Sequence, residues 1–296
     1  MEIKKGRPSS TAEEVAIHRA VESMRPENER ICHDPYAIRF LSPETSRFLE
    51  MIANGSSMAK AKMEEMNRLF PGTQNSIVAR VRYIDDIVEE SIDDGIEQLV
   101  ILGAGYDTRA HRIKRLEKIK VFEVDHPSTQ AVKIEKVKEI FGSLPAHVRY
   151  VPVDIGSEDL CQRFTENGYD RSQRTLFTME GLLYYFPPKL VDELLSFIAV
   201  SSGRGSTIVF DYFPKSMVDG TCKSEVGKRI RERVERYGEP LKFGIREGAV
   251  VDFLTQRGFF DVKDVTSEDY KKAYFRGANA NRDVCSLYSF AHARVN

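Results

Sequence analysis

Four apolar residues in a row, Leu99-Val100-Ile101-Leu102, run directly into Gly103-Ala104-Gly105. A short, unbroken apolar run closed by glycines predicts a strand buried on both faces that ends in a tight turn, because a strand with one wet face would alternate. Four similar runs follow, at Lys120 to Val124, Arg149 to Val153, Thr175 to Met179 and Thr207 to Phe210. Between them, Gln130 to Phe141 and Leu190 to Ser201 repeat their apolar residues at helical spacing. Strands that alternate with helices predict a parallel sheet covered on both faces. Two further runs, Phe259 to Val265 and Cys285 to Ala293, flank the polar stretch Thr266 to Arg282 and predict an antiparallel hairpin at the sheet edge. The expected core is a seven-stranded α/β sheet, five strands parallel and two closing.

From Ser9 to about Ser91 the apolar residues recur at helical spacing, as in Ile77, Val81, Ile84 and Val88. Residues 1–97 are therefore read as a helical N-terminal region completing the site, and 98–296 as the core. Pro214 to Gly248 break the strand–helix alternation and read as a helical lid inserted over the C-terminal edge of the sheet. The run Lys228-Arg229-Ile230-Arg231-Glu232-Arg233 within it reads as a solvated helix face. No repeat at a period of 20 to 50 residues is visible, so solenoids and propellers drop out.

Lys and Arg number 44 and Asp and Glu 45, a formal charge of −1. Gripping nucleic acid or an anionic membrane requires a basic excess or stripe, so this balance points to a small-molecule or protein partner. There is no run of about 18 apolar residues, and no apolar stretch follows the polar segment Met1 to Ser10, so the expectation is a cytoplasmic chain with no membrane contact. Cys32, Cys161, Cys222 and Cys285 form no C-x-x-C pair and read as reduced thiols, with no metal expected.

In an open α/β sheet, ligands bind beyond the C-terminal ends of the strands, where strand order reverses. At the first strand end, Gly103-Ala104-Gly105 lets the backbone approach a ligand that a Cβ would push away. Thr108 stands where a dinucleotide fingerprint has its third glycine, so a nucleoside cofactor without a pyrophosphate fits better. Asp125 ends the second strand, 22 residues after Gly103, the separation at which an acid accepts from ribose hydroxyls. Asp154 ends the third and can accept from an exocyclic amine while Ile155 packs against a flat base. Glu180 ends the fourth in apolar surroundings, where a carboxylate needs a cationic partner or a cofactor amine.

The blocks Arg80-Val81-Arg82-Tyr83-Ile84-Asp85-Asp86, Val100 to Arg109, Phe122 to Pro127, Val153-Asp154-Ile155 and Glu180 to Tyr185 occur in this order. Together they resemble the leucine carboxyl methyltransferase family of S-adenosylmethionine-dependent O-methyltransferases. The segment His33 to Phe40 is similar to that family's N-terminal block, and the likeness spans Thr11 to Phe210. It implies a class I, Rossmann-like methyltransferase fold with S-adenosylmethionine as cofactor. Carried over residue by residue, it implies Arg80 on the methionine carboxylate, Gly103, Ala104 and Gly105 at close backbone approach and Asp125 on the ribose. It also implies Asp154 and Ile155 at the adenine and Glu180 near the methionine amine, with Arg19 as candidate for a basic N-terminal contact.

The implied acceptor is a carboxylate or hydroxyl of a small molecule or of a protein C-terminus. A carboxylate needs no general base; a hydroxyl does, and His111, His126 and His292 are candidates, none of them assigned. Tyr184 and Tyr185 would line the acceptor side. Two other readings stay open. An NAD-dependent Rossmann oxidoreductase shares the glycine turn and the acid after the second strand, and a cofactor-binding regulatory protein would keep the site without turnover.

Overall fold

The computed structural model describes residues 9–296. Residues 1–8, where the sequence reading starts its helical N-terminal region, lie outside the described residues. Helices α1 (Ser10–Ser23), α2 (Pro43–Ala53), α3 (Ser57–Leu69) and α4 (Thr73–Asp93) precede the first strand. Strand β1 (Gln98–Leu102), single-turn α5 (Arg109–Arg112), β2 (Lys120–Asp125), α6 (Pro127–Phe141) and β3 (Val148–Pro152) follow. Next come α7 (Leu160–Glu166), β4 (Thr175–Met179), α8 (Pro188–Val200) and β5 (Thr207–Tyr212). The chain ends through α9 (Lys215–Asp219), α10 (Glu225–Arg236), α11 (Val250–Thr255), β6 (Phe259–Val265), α12 (Ser267–Tyr274) and β7 (Ser289–Val295).

The strands form one 7-stranded sheet in the order β3-β2-β1-β4-β5-β7-β6. β1 through β5 are parallel; β7 runs antiparallel to both β5 and β6. Every residue of β1 and β4 is buried, as expected of central strands covered on both faces. Order reverses between β1 and β4, which places the ligand crevice above their C-terminal ends.

One edge differs from the sequence expectation. β7 begins at Ser289, not Cys285, and it lies between β5 and β6, so that β6 forms the edge opposite β3. Cys285 is instead fastened to α4, where its amide donates to Ser76 Oγ at 2.8 Å. The polar stretch between the two strands also holds a helix. Thr266 and Asp269 form a reciprocal cap that starts α12, and this helix buries Tyr270 completely.

The covering helices owe their position to apolar stripes. On α4, Ile77, Val81, Ile84 and Val88 face one side of the sheet; on α8, Val191, Leu194, Leu195 and Ile198 face the other. Each such side chain contributes about 1.5–3 kcal/mol by leaving water. The entry to α4 is fixed by Gly72, at φ 73, where a Cβ would stand 2.4 Å from the Val284 carbonyl carbon. Only glycine fits this crossing.

The α9–α10 segment is stitched down at both ends. Pro214 bridges Ile245, and Lys242 N donates to Tyr184 O at 2.7 Å. On α10, Ile230 and Val234 are buried while Lys228 and Glu232 are exposed. The basic run is only partly a solvated face: Arg229 donates to Leu69 O at 3.0 Å, and Arg233 pairs with Glu14 at 3.1 Å and lies over the Phe70 ring. Among the described residues, no helix is long and apolar enough to cross a membrane.

Candidate functional site

At the reversal point a crevice lies over the ends of β1, β2, β3 and β4, and it brings together every cofactor-binding residue expected from the sequence. Gly103, Ala104 and Gly105 form its floor; Asp125, Asp154 and Ile155 lie along one side; Arg80 and Glu180 lie along the other. Gly103 and Ala104 hang their amides on Val124 O at 2.9 and 3.1 Å, which folds the turn back over β2. Gly103 has φ 68, and a Cβ there would come within 2.8 Å of Leu182 Cδ1.

Asp125 accepts from Gly105 N and, at 2.6 Å, from His126 N. One bond to each oxygen fixes the carboxyl plane and leaves acceptor capacity for a diol. Burial pushes this carboxyl above its ordinary pKa, against those amides. Asp154 Oδ1 accepts from Gly156 N at 3.1 Å, and neighbouring Ile155 is buried in the core cluster on that face of the sheet.

Glu180 has the cationic partner its setting demands, and it has two. Arg109 Nη1 donates to Oε2 at 2.7 Å, and Arg80 Nε donates to Oε1 at 3.2 Å. Burial alone would raise this carboxyl; Arg109 and Arg80 outweigh it and hold the pKa below the ordinary value. Arg80 also donates from Nη1 to Asp211 Oδ2 at 2.7 Å, and Asp211 takes the Gly181 amide at 2.6 Å. Arg109 further reaches Asp85 at 2.7 Å and pairs with Asp107.

The sequence reading missed Arg109 and Asp211. Arg109 closes the block that was quoted for the glycine turn, and Asp211 lies one residue past the fifth apolar run, in the strand-end position occupied by the other acids. The signal was present in both cases, although the pairing was not.

Arg19 also borders the crevice. Its Nε donates to Asp34 Oδ2 at 2.8 Å and its Nη2 to Tyr106 O. Asp34, 1% exposed, takes Thr108 Oγ1 at 2.7 Å as well, which ties the His33-Asp34-Pro35 block to the segment behind the glycine turn. Of the three candidate histidines only His126 borders the crevice, and its Nδ1 is engaged with Ser128 Oγ at 2.8 Å. His111 stacks on Phe141, with burial lowering its pKa to about 4. His292 bonds Tyr83 Oη at 2.6 Å within the sheet layer.

A second cavity, of about 550 Å³, adjoins the first. The two share Thr11, Val15, Arg80, Tyr184 and Tyr185. Its walls are mainly apolar and come from α1, α2, α3, α4 and α10, with Phe48, Met63, Met66, Phe70, Ile77 and Ile230 among them. His18, which the sequence reading passed over, also lines it.

The sequence model of the leucine carboxyl methyltransferase family matches residues 12–199. The chain belongs to this family. Membership makes S-adenosylmethionine its cofactor and removes the NAD-dependent oxidoreductase alternative. A Mycobacterium avium (strain 104) relative named as an S-adenosyl-L-methionine-dependent methyltransferase is 32% identical over 256 residues, 84% of this chain and 82% of its own length. A Bacillus subtilis (strain 168) relative bearing the same activity in its name is 28% identical over 217 residues, 73% of this chain and 71% of its own. Solved structures from Streptomyces avermitilis MA-4680 and Thermobifida fusca YX share the class I, Rossmann-like fold. Their TM-scores are 0.60 and 0.59 and their identities 13% and 11%, covering 96% and 99% of this chain and 97% of each of theirs.

The crevice suits the family's cofactor on its own chemistry. Arg80 Nη2 is buried and lacks a hydrogen-bond partner, since its 3.1 Å approach to Glu180 Oε1 is out of line. A bare guanidinium N–H at this depth calls for an anion, and the cofactor's carboxylate is one.

Proposed function

We propose that this family member transfers the methyl group of S-adenosylmethionine to an oxygen of a small molecule held in the second cavity. The observation that carries this reading is the shared wall, which sets a mainly apolar chamber directly beside the cofactor crevice. The chamber is roofed by α3 and α10, tied together through Arg229 and Leu69 and fastened to α1 through Arg233 and Glu14. A protein C-terminus would need an open groove, whereas this roof favours a compact guest.

In this reading Arg80 Nη2 receives the methionine carboxylate, and Asp125 receives the ribose hydroxyls. Asp154 accepts from the adenine amine while Ile155 packs on its ring. Glu180, fixed between two guanidiniums, offers its remaining acceptor capacity to the methionine ammonium. Gly103, Ala104 and Gly105 bring bare backbone against the nucleoside. The bound cofactor supplies a methyl group on a good leaving group, so alignment and exclusion of water by Val15, Tyr184 and Tyr185 do much of the work.

Calorimetry with S-adenosylhomocysteine and NAD, followed by transfer of labelled methyl from S-adenosylmethionine to extracted small molecules, tests the proposal. Binding of S-adenosylhomocysteine and label in an organic-soluble product are expected. Binding without transfer to any fraction favours the regulatory reading, and label appearing on protein overturns the small-molecule assignment.

A further inference from the structure

His18 lies on α1 one turn beyond Val15, which borders both cavities. Gln74 on α4 donates from Nε2 to the His18 carbonyl oxygen at 3.0 Å, so the atom it turns toward His18 Nδ1 is its own acceptor, Oε1. Nδ1 must therefore carry the ring proton, and Nε2 is left with a lone pair. That Nε2 is buried and has no hydrogen-bond partner. A buried acceptor without a donor is costly, and a hydroxyl offered from the chamber would supply one. Glu14 Oε1 stands 4.0 Å from Nε2, near enough to steady an imidazolium, while itself paired with Arg233. Tyr185 and Tyr288 also line the chamber.

We infer, resting on the methyl-transfer reading above, that the acceptor is an apolar phenol and that His18 takes up its proton. The phenol oxygen forms the new bond to the methyl carbon, the carbon–sulfur bond breaks with its electron pair left on sulfur, and the hydroxyl proton passes to His18 Nε2. Products are the methyl ether, S-adenosylhomocysteine and a protonated His18, which returns its proton to water.

Two features select a phenol. The groups facing His18 are Glu14 on its own helix, Gln74 and Arg80 on α4 and Arg233 on α10. Burial holds the ring's pKa below its ordinary value, with Arg233 and Arg80 acting the same way and Glu14 opposing, so the ring is a weak base. Such a base matches a hydroxyl with a pKa of about 10 far better than an aliphatic alcohol. A carboxylate guest is disfavoured because the guanidiniums along the chamber are already engaged: Arg80 by Glu180, Asp211 and, in the reading above, the cofactor's own carboxylate, and Arg233 by Glu14. Glu44, on the same wall, offsets the charge of Lys62, which lies over the Phe48 ring.

The test uses the full chain labelled with ¹⁵N-histidine, saturated with S-adenosylhomocysteine and titrated with 2-naphthol or, separately, with its shape-matched acid, 2-naphthoic acid. His18, assigned by its loss in His18→Gln, should be the neutral Nδ1–H tautomer at pH 7. Naphthol should move its Nε2 resonance, and naphthoate should not. With S-adenosylmethionine present, 2-naphthol should be methylated, and His18→Gln should lower kcat about a hundredfold at pH 7. This deficit should close as pH rises toward about 10, where the phenol ionises unaided. A residue with a purely structural role would give no such recovery.

Should His18→Gln fail to fold, the wild-type titration decides alone. Preferential methylation of naphthoate, an unmoved Nε2 resonance at saturating naphthol, or no naphthol binding to the loaded protein overturns the inference. Failure of the wild-type chain to bind S-adenosylhomocysteine would instead overturn the methyl-transfer reading beneath it.

Discussion

Replacing Arg109 by methionine keeps most of the side chain's length and removes its charge. In the native protein this guanidinium, 2% exposed, donates to Glu180 and Asp85 at 2.7 Å each, to Val81 O at 3.2 Å and to Asp107. Removing one partner of a buried pair costs roughly 3–5 kcal/mol, because the opposite charge is left bare. Arg80 still reaches Glu180 at 3.1 Å and Arg112 still reaches Asp85 at 2.7 Å, so Asp107 loses most and the expected loss is about 3 kcal/mol. Burial pushes the Asp107 carboxyl upward, but Arg109, Lys133 and Arg19 outweigh it and hold it well below the ordinary range. A carboxyl with a depressed folded pKa contributes stability above the unfolded value of about 4, and that stability is lost as pH falls through the folded pKa. Without Arg109, burial of Asp107 and Glu180 goes less opposed and their folded values rise. The penalty should therefore be largest at pH 7 and shrink toward pH 4. Urea unfolding of both proteins across that range measures it. A difference below about 1 kcal/mol at pH 7, or one that grows in acid, would refute the assignment of Arg109 as the buried counter-charge.

Arg80→Met should weaken S-adenosylhomocysteine binding about tenfold to a hundredfold in calorimetry, the worth of a charge-assisted hydrogen bond; unchanged affinity removes Arg80 from the cofactor site. Gly72→Ala forces a Cβ to 2.4 Å from the Val284 backbone at φ 73, and should lower stability by more than about 2 kcal/mol in thermal unfolding. An unshifted midpoint would mean that the α4 entry is looser than described. Beneath the glycine turn, Glu123 pairs with Lys133 at 2.7 Å, fully buried, and burial raises its carboxyl to about 7. Its folded pKa lies above the unfolded one, so its contribution is full below pH 4 and is lost as pH rises to about 7. The double variant Glu123→Gln, Lys133→Met should lack that downward slope relative to wild type, and parallel pH profiles would sink the idea.

The sheet was legible because burial on both faces writes itself into a strand as an unbroken apolar run, as at Leu99 to Leu102. The cofactor crevice was legible because topology gathers strand ends, so acids far apart in sequence could be assigned to one place. Ion-pair partners were not, since Arg80 on α4 and Arg109 on α5 meet Glu180 only once both helices are packed against the sheet. His18 was invisible for a similar reason: its tautomer depends on Gln74, 56 positions away. Cys285 to Tyr288 looked like strand because nothing local reveals that Ser76 will capture the Cys285 amide.

Along the cofactor crevice, carboxylates outnumber guanidiniums: Asp107, Asp125, Asp154 and Glu180 stand against Arg19 and Arg80. The donor arrives with a net positive charge and departs neutral once its sulfonium has become a thioether. On the proposed reading, a negatively biased berth should grip the fresh molecule harder than the spent one, and the acids assigned to the donor should also favour the release of its product. Asp154→Asn should narrow the gap between the two affinities, and an unaltered ratio would show that this bias plays no part in product release.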